Sequence, residues 1–131
     1  MQMQRMGAFS RTALWIIASP LILLVLTSLL SEGAEAHARH NAAYASVAAL
    51  KARLAFPKTF KVDAVRVTDA GAACIRYRAR DGYGTVDQAQ AVVVDGSVTQ
   101  SDIRDGRFQR AWDRQCLGQS YDVTEAVVRF F

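Results

Sequence analysis

The sequence contains two cysteines, Cys74 and Cys116, and their chemistry is the most definite that it offers. Neither belongs to a Cys-x-x-Cys motif and neither has a histidine nearby in the sequence, so a redox site is not indicated. In an exported domain, an oxidising compartment favours a disulfide between such a pair. Closing a loop of about 40 residues would stabilise the domain by roughly 4 kcal/mol. We therefore predict a Cys74–Cys116 disulfide, with two buried free thiols as the alternative.

Residues suited to acid–base or metal chemistry are sparse. Histidine occurs only at His37 and His40, and residues 41–131 contain none, which argues against Ser-His-Asp hydrolysis and histidine-based catalysis in that part of the chain. His37, His40 and Glu35 are three potential metal ligands without an apparent fourth, and we interpret them as solvated linker residues. We predict no catalytic residues, no metal and no cofactor. An enzyme that works through carboxylates or the cysteines is the alternative.

A predicted β-hairpin carries the candidates for binding. Apolar and polar residues alternate over residues 73–80, as in a half-buried strand, and Asp81-Gly82 is typical of a tight turn. If Arg80 pairs with Thr85 across this turn, Arg78 lies opposite Asp87 and pairs with it. One face of the hairpin then carries Ile75, Tyr77, Ala79 and Val86. The other carries Arg76, Arg78, Arg80 and Asp87, with Cys74 at its far end.

Four residues of this hairpin are the candidate binding residues: Tyr83, Arg80, Arg78 and Arg76. Tyr83 stands at the tip, where an aromatic side chain can contact a sugar, a peptide or a protein; a side chain folded back on its own sheet is the alternative. The arginines form a stripe about 13 Å long at strand spacing, which suits an anionic ligand or a lipid headgroup. A solvated sheet face is the alternative for this stripe.

The amino-terminal segment has the outline of an export signal. Residues 1–12 include Arg5 and Arg11 but no acidic residue, and the 18 residues 13–30 are uncharged. This run is long for a cleavable signal and just long enough to span a bilayer, so cleavage near Ala36 or Ala38 and a retained anchor in the inner membrane are both open. In either case the positive-inside rule keeps the amino terminus cytoplasmic and exports the rest. We therefore divide the chain into a signal peptide or membrane anchor, residues 1–38, and a single exported domain, residues 39–131.

The exported domain is predicted to be α+β. Residues 41–55 have one apolar stripe at helical spacing and end before Pro57, which predicts one long helix packed on the sheet. Turn signals separate strand-like segments between residues 60 and 104, which predicts an antiparallel meander of three or four strands. Phe108, Trp112 and Cys116 recur every four residues and predict a short helix. For residues 123–131, a short helix that begins with a capping box of Asp122 and Glu125 and a final strand are both open.

Several segments resemble a pattern in small uncharacterised bacterial exported or envelope proteins. They are Leu-Ala-Phe-Pro-Lys-Thr-Phe, the strand end Val-Thr-Asp-Ala-Gly, the hairpin Cys-Ile-Arg-Tyr-Arg-Ala-Arg-Asp-Gly-Tyr-Gly, and Trp112 with Cys116. In those proteins a helix precedes an Asp-Pro-x-Ser-like element, and a Cys-bearing strand runs into an Arg-Ala-Lys-Asn-x-Phe-Gly-Gly-like turn. Here Phe56, Thr59 and Asp81 replace the aspartate, the serine and the asparagine, and Thr85 stands where a second glycine is common. The resemblance implies an envelope location in bacteria and no established activity.

The charge of the chain limits its partners. Sixteen Lys and Arg against 12 Asp and Glu give a formal net charge of +4, which is too small and too dispersed to predict nucleic-acid binding.

We predict a small periplasmic domain that is a non-catalytic binding or interaction module with an envelope protein as its partner. If residues 13–30 are retained, they contact the inner membrane. A small accessory subunit of a membrane complex is the further alternative.

Overall fold

The structure, a computed structural model, describes residues 10–131, with side chains from residue 20 onward. It is α+β, as predicted. In chain order its elements are helix α1 (Ser10–Lys51), a 3₁₀ turn (Pro57–Thr59), strands β1 (Lys61–Thr68), β2 (Ala73–Arg80), β3 (Val86–Val94) and β4 (Ser97–Gln100), helix α2 (Arg107–Gln115), strand β5 (Ser120–Asp122) and helix α3 (Thr124–Val128). The chain divides into two units, Met1–Ala36 and His37–Phe131.

The apolar part of α1 has the length and composition to cross a membrane, as a signal or an anchor would. Large apolar side chains between Leu21 and Leu30 are exposed. Thr27 and Ser28 donate their hydroxyls to backbone carbonyls three residues earlier, at 2.9 Å each, which satisfies them without water. It is the one helix of this kind in the described part of the chain. Arg5 and Arg11, on which the predicted orientation depends, lie outside the described side chains.

The last turns of α1 pack on the sheet. Val47 and Leu50 are completely buried, and their spacing places them on the same face of the helix. The helix ends at Lys51 rather than at residue 55, because the N–H of Leu54 bonds to the carbonyl of Lys51 and closes a tighter turn. Leu54 still packs against the core, so the predicted apolar stripe is kept although its last residue is not helical.

The sheet has five antiparallel strands in the order β4-β3-β2-β1-β5. Strands β1 to β4 form the predicted meander. Strand β5 was not predicted; it has only three residues and pairs with residues 66–68 of β1. Helices α1 and α3 supply buried residues to the core on one face of the sheet, where Ile75 of β2 and Val127 of α3 are completely buried. The final segment is therefore a helix and not a strand.

The register of the β2–β3 hairpin differs from the prediction by one residue. Arg80 pairs with Val86 and not with Thr85, so the connection has five residues. Its left-handed residue is Gly84, with a φ of +84°, rather than a residue of the Asp-Gly pair. Shifting one strand by one residue exchanges the faces to which its side chains point. Val86 consequently lies on the arginine-bearing face, opposite to its predicted position.

The same shift removes the predicted ion pair between Arg78 and Asp87. Asp87 points to the other face of the sheet, and Arg78 lies opposite Gln88. Arg78 pairs instead with Asp63 of β1, to which its Nε and Nη2 donate with N–O distances of 2.8 to 3.1 Å. A bulge in β1 between Val62 and Ala64 surrounds this aspartate. Both side chains are partly exposed, so the pair contributes about 0–1 kcal/mol to stability.

Tyr77 has its hydroxyl inside the core, where Gln100 Nε2 donates a hydrogen bond to it at 3.1 Å. Burial raises the pKa of Tyr77 and outweighs the hydrogen bond from Gln100, which lowers it. Because the pKa of Tyr77 is higher in the folded state, its neutral hydroxyl contributes fully to the free energy of unfolding at pH values below about 10, the ordinary pKa of tyrosine. This contribution is lost as the pH rises through the folded-state pKa.

We expect Tyr77→Phe to cost about 1 kcal/mol near neutral pH, because the buried amide of Gln100 loses its acceptor. The variant should also lose stability less steeply than the parent above a pH of about 10. Urea denaturation at a series of pH values measures both effects. Tyr83→Phe is the control, since its ring is 97% exposed, and it should leave the alkaline slope unchanged. An unchanged slope in Tyr77→Phe would contradict the assignment.

Candidate binding surfaces

Three of the four predicted binding residues, Arg76, Arg78 and Arg80, share one face of β2, but their surroundings differ. Tyr83 and Arg80 lie at one end of the β2–β3 hairpin, and Arg78 is held by Asp63. Arg76 lines a groove near the other end of β2. The structure thus has two candidate sites, which we call the hairpin tip (residues 80–89) and the groove.

Hydrogen bonds fix the turn that presents Tyr83. Asp81 Oδ1 accepts the backbone N–H groups of Tyr83 and Thr85 at 2.8 and 2.9 Å, and the Asp81 carbonyl accepts the N–H of Gly84 at 3.1 Å. The Tyr83 ring projects into solvent and does not fold back on its own sheet. An aromatic side chain on an ordered turn loses little conformational entropy on binding, which favours its use as a contact residue.

The outer edge of β3 is open beside this turn. Gln90 directs its backbone groups away from β2: its N–H bonds to Ser101 Oγ and its carbonyl accepts the N–H of Ser101, both at 2.9 Å. Every second residue of an antiparallel strand points the same way, so Val86 and Gln88 also direct their N–H and C=O groups outward. Strand β4 pairs only with residues 91–94 and does not reach them.

The opposite edge of the sheet is better protected. Strand β5 pairs with residues 66–68 of β1, and the uncovered part of β1 has a bulge and two charged residues, Lys61 and Asp63. Bulges and charges are the devices by which natural sheets prevent pairing with another chain. The free part of β3 has no bulge and one charged residue, Asp87. Of the two edges, the one at the hairpin tip is the more open to a partner strand.

The Cys74–Cys116 disulfide is present, as predicted. It joins β2 to Cys116, the residue that caps the end of α2, and so holds this helix on the arginine-bearing face of the sheet. Val92, the cross-strand neighbour of Cys74, is buried there. Trp112 lies one helical turn before Cys116 and therefore points to the same side of the helix. Its ring contacts that of Phe108, with a centroid distance of 5.5 Å.

A groove of about 430 Å³ lies between the end of α2 and the sheet. Its lining comes from β1 and β2 on one side and from α2, the loop after it and β5 on the other: Ala64, Arg66, Cys74, Arg76, Trp112, Cys116, Leu117, Gly118 and Ser120. The volume is in the range of small-molecule sites. Ala64 lies directly opposite Arg76 on the neighbouring strand, and its short side chain leaves the floor of the groove open.

Two guanidinium groups of the groove have unused hydrogen-bond donors. Arg66 Nε donates to Ser120 Oγ at 2.8 Å, while its two terminal nitrogens make no hydrogen bond within the described residues. Arg76 makes neither a hydrogen bond nor an ion pair with any side chain or backbone group from residue 20 onward, unlike its neighbour Arg78. Because guanidinium groups bind oxyanions in a bidentate manner, these two residues provide the chemistry of an anion site.

Asp122 lies opposite Arg66 on β5. The pKa of Asp122 is lowered mainly by a hydrogen bond from the Thr124 hydroxyl, at 2.6 Å, and next by one from the Thr124 backbone N–H, at 2.9 Å. The positive charge of Arg66 lowers it further. The carboxylate is therefore ionised near neutral pH and offsets one of the two positive charges of the groove. Glu125, predicted to cap α3 together with Asp122, instead pairs with Arg129.

Sequence reasoning placed Trp112 on the face of Cys116 but missed the groove and the role of Arg66. The predicted disulfide could have indicated the groove. A helix tied to Cys74 brings Trp112, four residues before Cys116, over the neighbouring strands. His37 and His40 lie on α1, and no group of three histidine, cysteine or carboxylate side chains that could hold a metal ion occurs within the described residues.

Comparisons with protein-family models, with curated proteins and with solved structures find no match for this chain.

Proposed function

We propose that this protein is a non-catalytic interaction module of the bacterial cell envelope that binds a protein partner through its hairpin tip. The observation that carries the proposal is Tyr83, 97% exposed on a turn that three hydrogen bonds to Asp81 keep in one conformation. A partner segment in an extended conformation would pair with the free edge of β3 and receive Tyr83 in a pocket at its end.

Two features support the extracytoplasmic, periplasmic placement of this module. The apolar part of α1 has the character of a signal or an anchor, and a structural disulfide is typical of oxidising compartments.

The lack of histidine in residues 41–131 supports a binding function over acid–base catalysis. Arg80, exposed on the adjacent strand end, would contribute a charged contact at the rim of the interface.

Photo-crosslinking in intact cells tests this function. A photoreactive phenylalanine analogue at position 83 should give one discrete adduct with an envelope protein. The same analogue at Phe130, which is also exposed but lies outside the hairpin, is the positional control. Equal adducts from both positions, or none from position 83, would count against the proposal.

A matched pair of substitutions at Gln88 tests the strand-pairing part. Gln88→Pro removes the outward N–H without removing a bond to β2, whereas Gln88→Ala changes the side chain and keeps the N–H. Losing a backbone hydrogen bond to a partner is worth about 1.4 kcal/mol, so the adduct yield at limiting partner concentration should fall about tenfold in the proline variant. The alanine variant should behave as the parent does. Loss of adduct in both variants would show that the side chain, and not the strand edge, is what the partner contacts.

A further inference from the structure

We infer that the groove under α2 binds a small organic carboxylate with an apolar, ring-sized body. This site is separate from the hairpin tip, since its lining residues come from the opposite end of β2, and it does not depend on the proposed protein partner. Three properties of the groove favour such a ligand: the placement of its arginines, its net charge and its apolar wall.

The two arginines are placed to share one oxyanion. Arg66 pairs with Cys74 and Arg76 pairs with Ala64, so the two arginines are diagonal neighbours on one face of the sheet. Diagonal neighbours are about 7–8 Å apart at the backbone, a distance that long side chains bridge. Both have guanidinium donors that the described residues leave unused. A carboxylate between them would accept hydrogen bonds from both groups.

The charge of the groove matches a single negative charge. Arg66 and Arg76 contribute two positive charges, and the ionised Asp122 beside Arg66 removes one of them. Asp63 lies on the same part of the sheet but is already paired with Arg78. A dianion such as phosphate would face the repulsion of Asp122 without a third cation, so a carboxylate is the better complement.

The remaining wall is apolar and partly open to solvent. Trp112 lines this wall, and Leu117, 70% exposed, is a large apolar side chain at the same site. An anion without an apolar part would leave this surface in water, whereas a ring attached to the carboxylate would cover it. The disulfide holds this wall in place before a ligand arrives, which lowers the cost of binding.

Calorimetric titration of the full chain in nonionic detergent tests the inference, with phenylacetate as the probe. Phenylacetamide has the same ring without the charge, acetate has the charge without the ring, and inorganic phosphate has a higher charge. We expect saturable binding of phenylacetate, and binding at least about tenfold weaker for each of the other three.

The variants follow from the contacts. Arg76→Gln should weaken phenylacetate binding at least about tenfold, and Trp112→Leu should weaken it in the same direction. The double variant Arg78→Gln, Asp63→Asn is the matched control, because it removes the neighbouring ion pair as a whole and leaves the net charge beside the groove unchanged, and it should change affinity by less than about twofold. Tyr83→Ala should have no effect, which separates this site from the hairpin tip.

Three outcomes would overturn the inference. The first is no saturable binding of phenylacetate to the parent chain. The second is phosphate or acetate binding as tightly as phenylacetate, which would refute the single charge or the apolar body. The third is equal weakening by Arg76→Gln and by the double variant Arg78→Gln, Asp63→Asn.

Discussion

Replacement of Cys116 by alanine is expected to lower the free energy of unfolding of the domain by about 4 kcal/mol, because the disulfide joins residues 42 positions apart and restricts the unfolded chain. Small domains have a total stability of about 5–15 kcal/mol, so this one bond accounts for a large share of it. The loss should be accompanied by release of α2 from the arginine-bearing face, which would abolish phenylacetate binding in the groove. The crosslink from position 83 should persist under conditions in which the domain stays folded.

Urea denaturation of the full chain in nonionic detergent measures this change. The double variant Cys74→Ala, Cys116→Ala separates the loss of the bond from the effect of a lone thiol, and the parent chain in reductant should match it. Thiol labelling of protein taken directly from cells should succeed only after reduction. Labelling without reductant, with the domain folded, would contradict both the disulfide and the extracytoplasmic placement.

The second large effect is expected at Leu50, whose side chain is completely buried where α1 meets the sheet. Leu50→Ala should cost about 3 kcal/mol, since it removes buried apolar surface and leaves a cavity that the surrounding strands cannot fill. Leu24→Ala is the matched control: it is the same substitution in the same helix, at a residue that is 69% exposed.

The same denaturation series measures both leucine variants. The Leu24 variant should leave the urea midpoint of the domain unchanged, within about 0.5 kcal/mol. Similar losses for the two variants would mean that the end of α1 does not pack on the sheet. Because Leu50 and Cys116 lie on opposite faces of the sheet, their effects should also be additive when combined.

The two proposed sites divide the surface that the sequence suggested as one. The stripe of three arginines is regular in the sequence, but its members differ in their partners. Arg78 is neutralised by Asp63, Arg76 lies in the groove and has no partner among the described side chains, and Arg80 is exposed near Tyr83. A single anionic ligand along the whole stripe is therefore less suited to this face than separate sites at its two ends.

The elements of the fold were predictable because their signals are local. Helical spacing located the last turns of α1 and helix α2, although not the residue at which α1 ends. Period-two alternation located β2, and the Asp-Gly pairs located the connections between strands. The disulfide was predictable for a different reason: a chain with two cysteines after a predicted export signal has only one intramolecular pairing.

The register of the hairpin and the contents of the groove were decided by the tertiary structure. An Asp-Gly pair signals a turn without setting its length; the pair at residues 95–96 forms a two-residue turn, whereas the connection at residue 81 has five residues and its left-handed glycine is Gly84. That one residue reassigned Asp87 to the other face. Strand β5 is too short to have a periodic signal, and only its pairing with β1 brings Ser120 and Asp122 to Arg66. Contacts between residues more than 50 positions apart depend on the packing of the whole chain, and local spacing does not contain them.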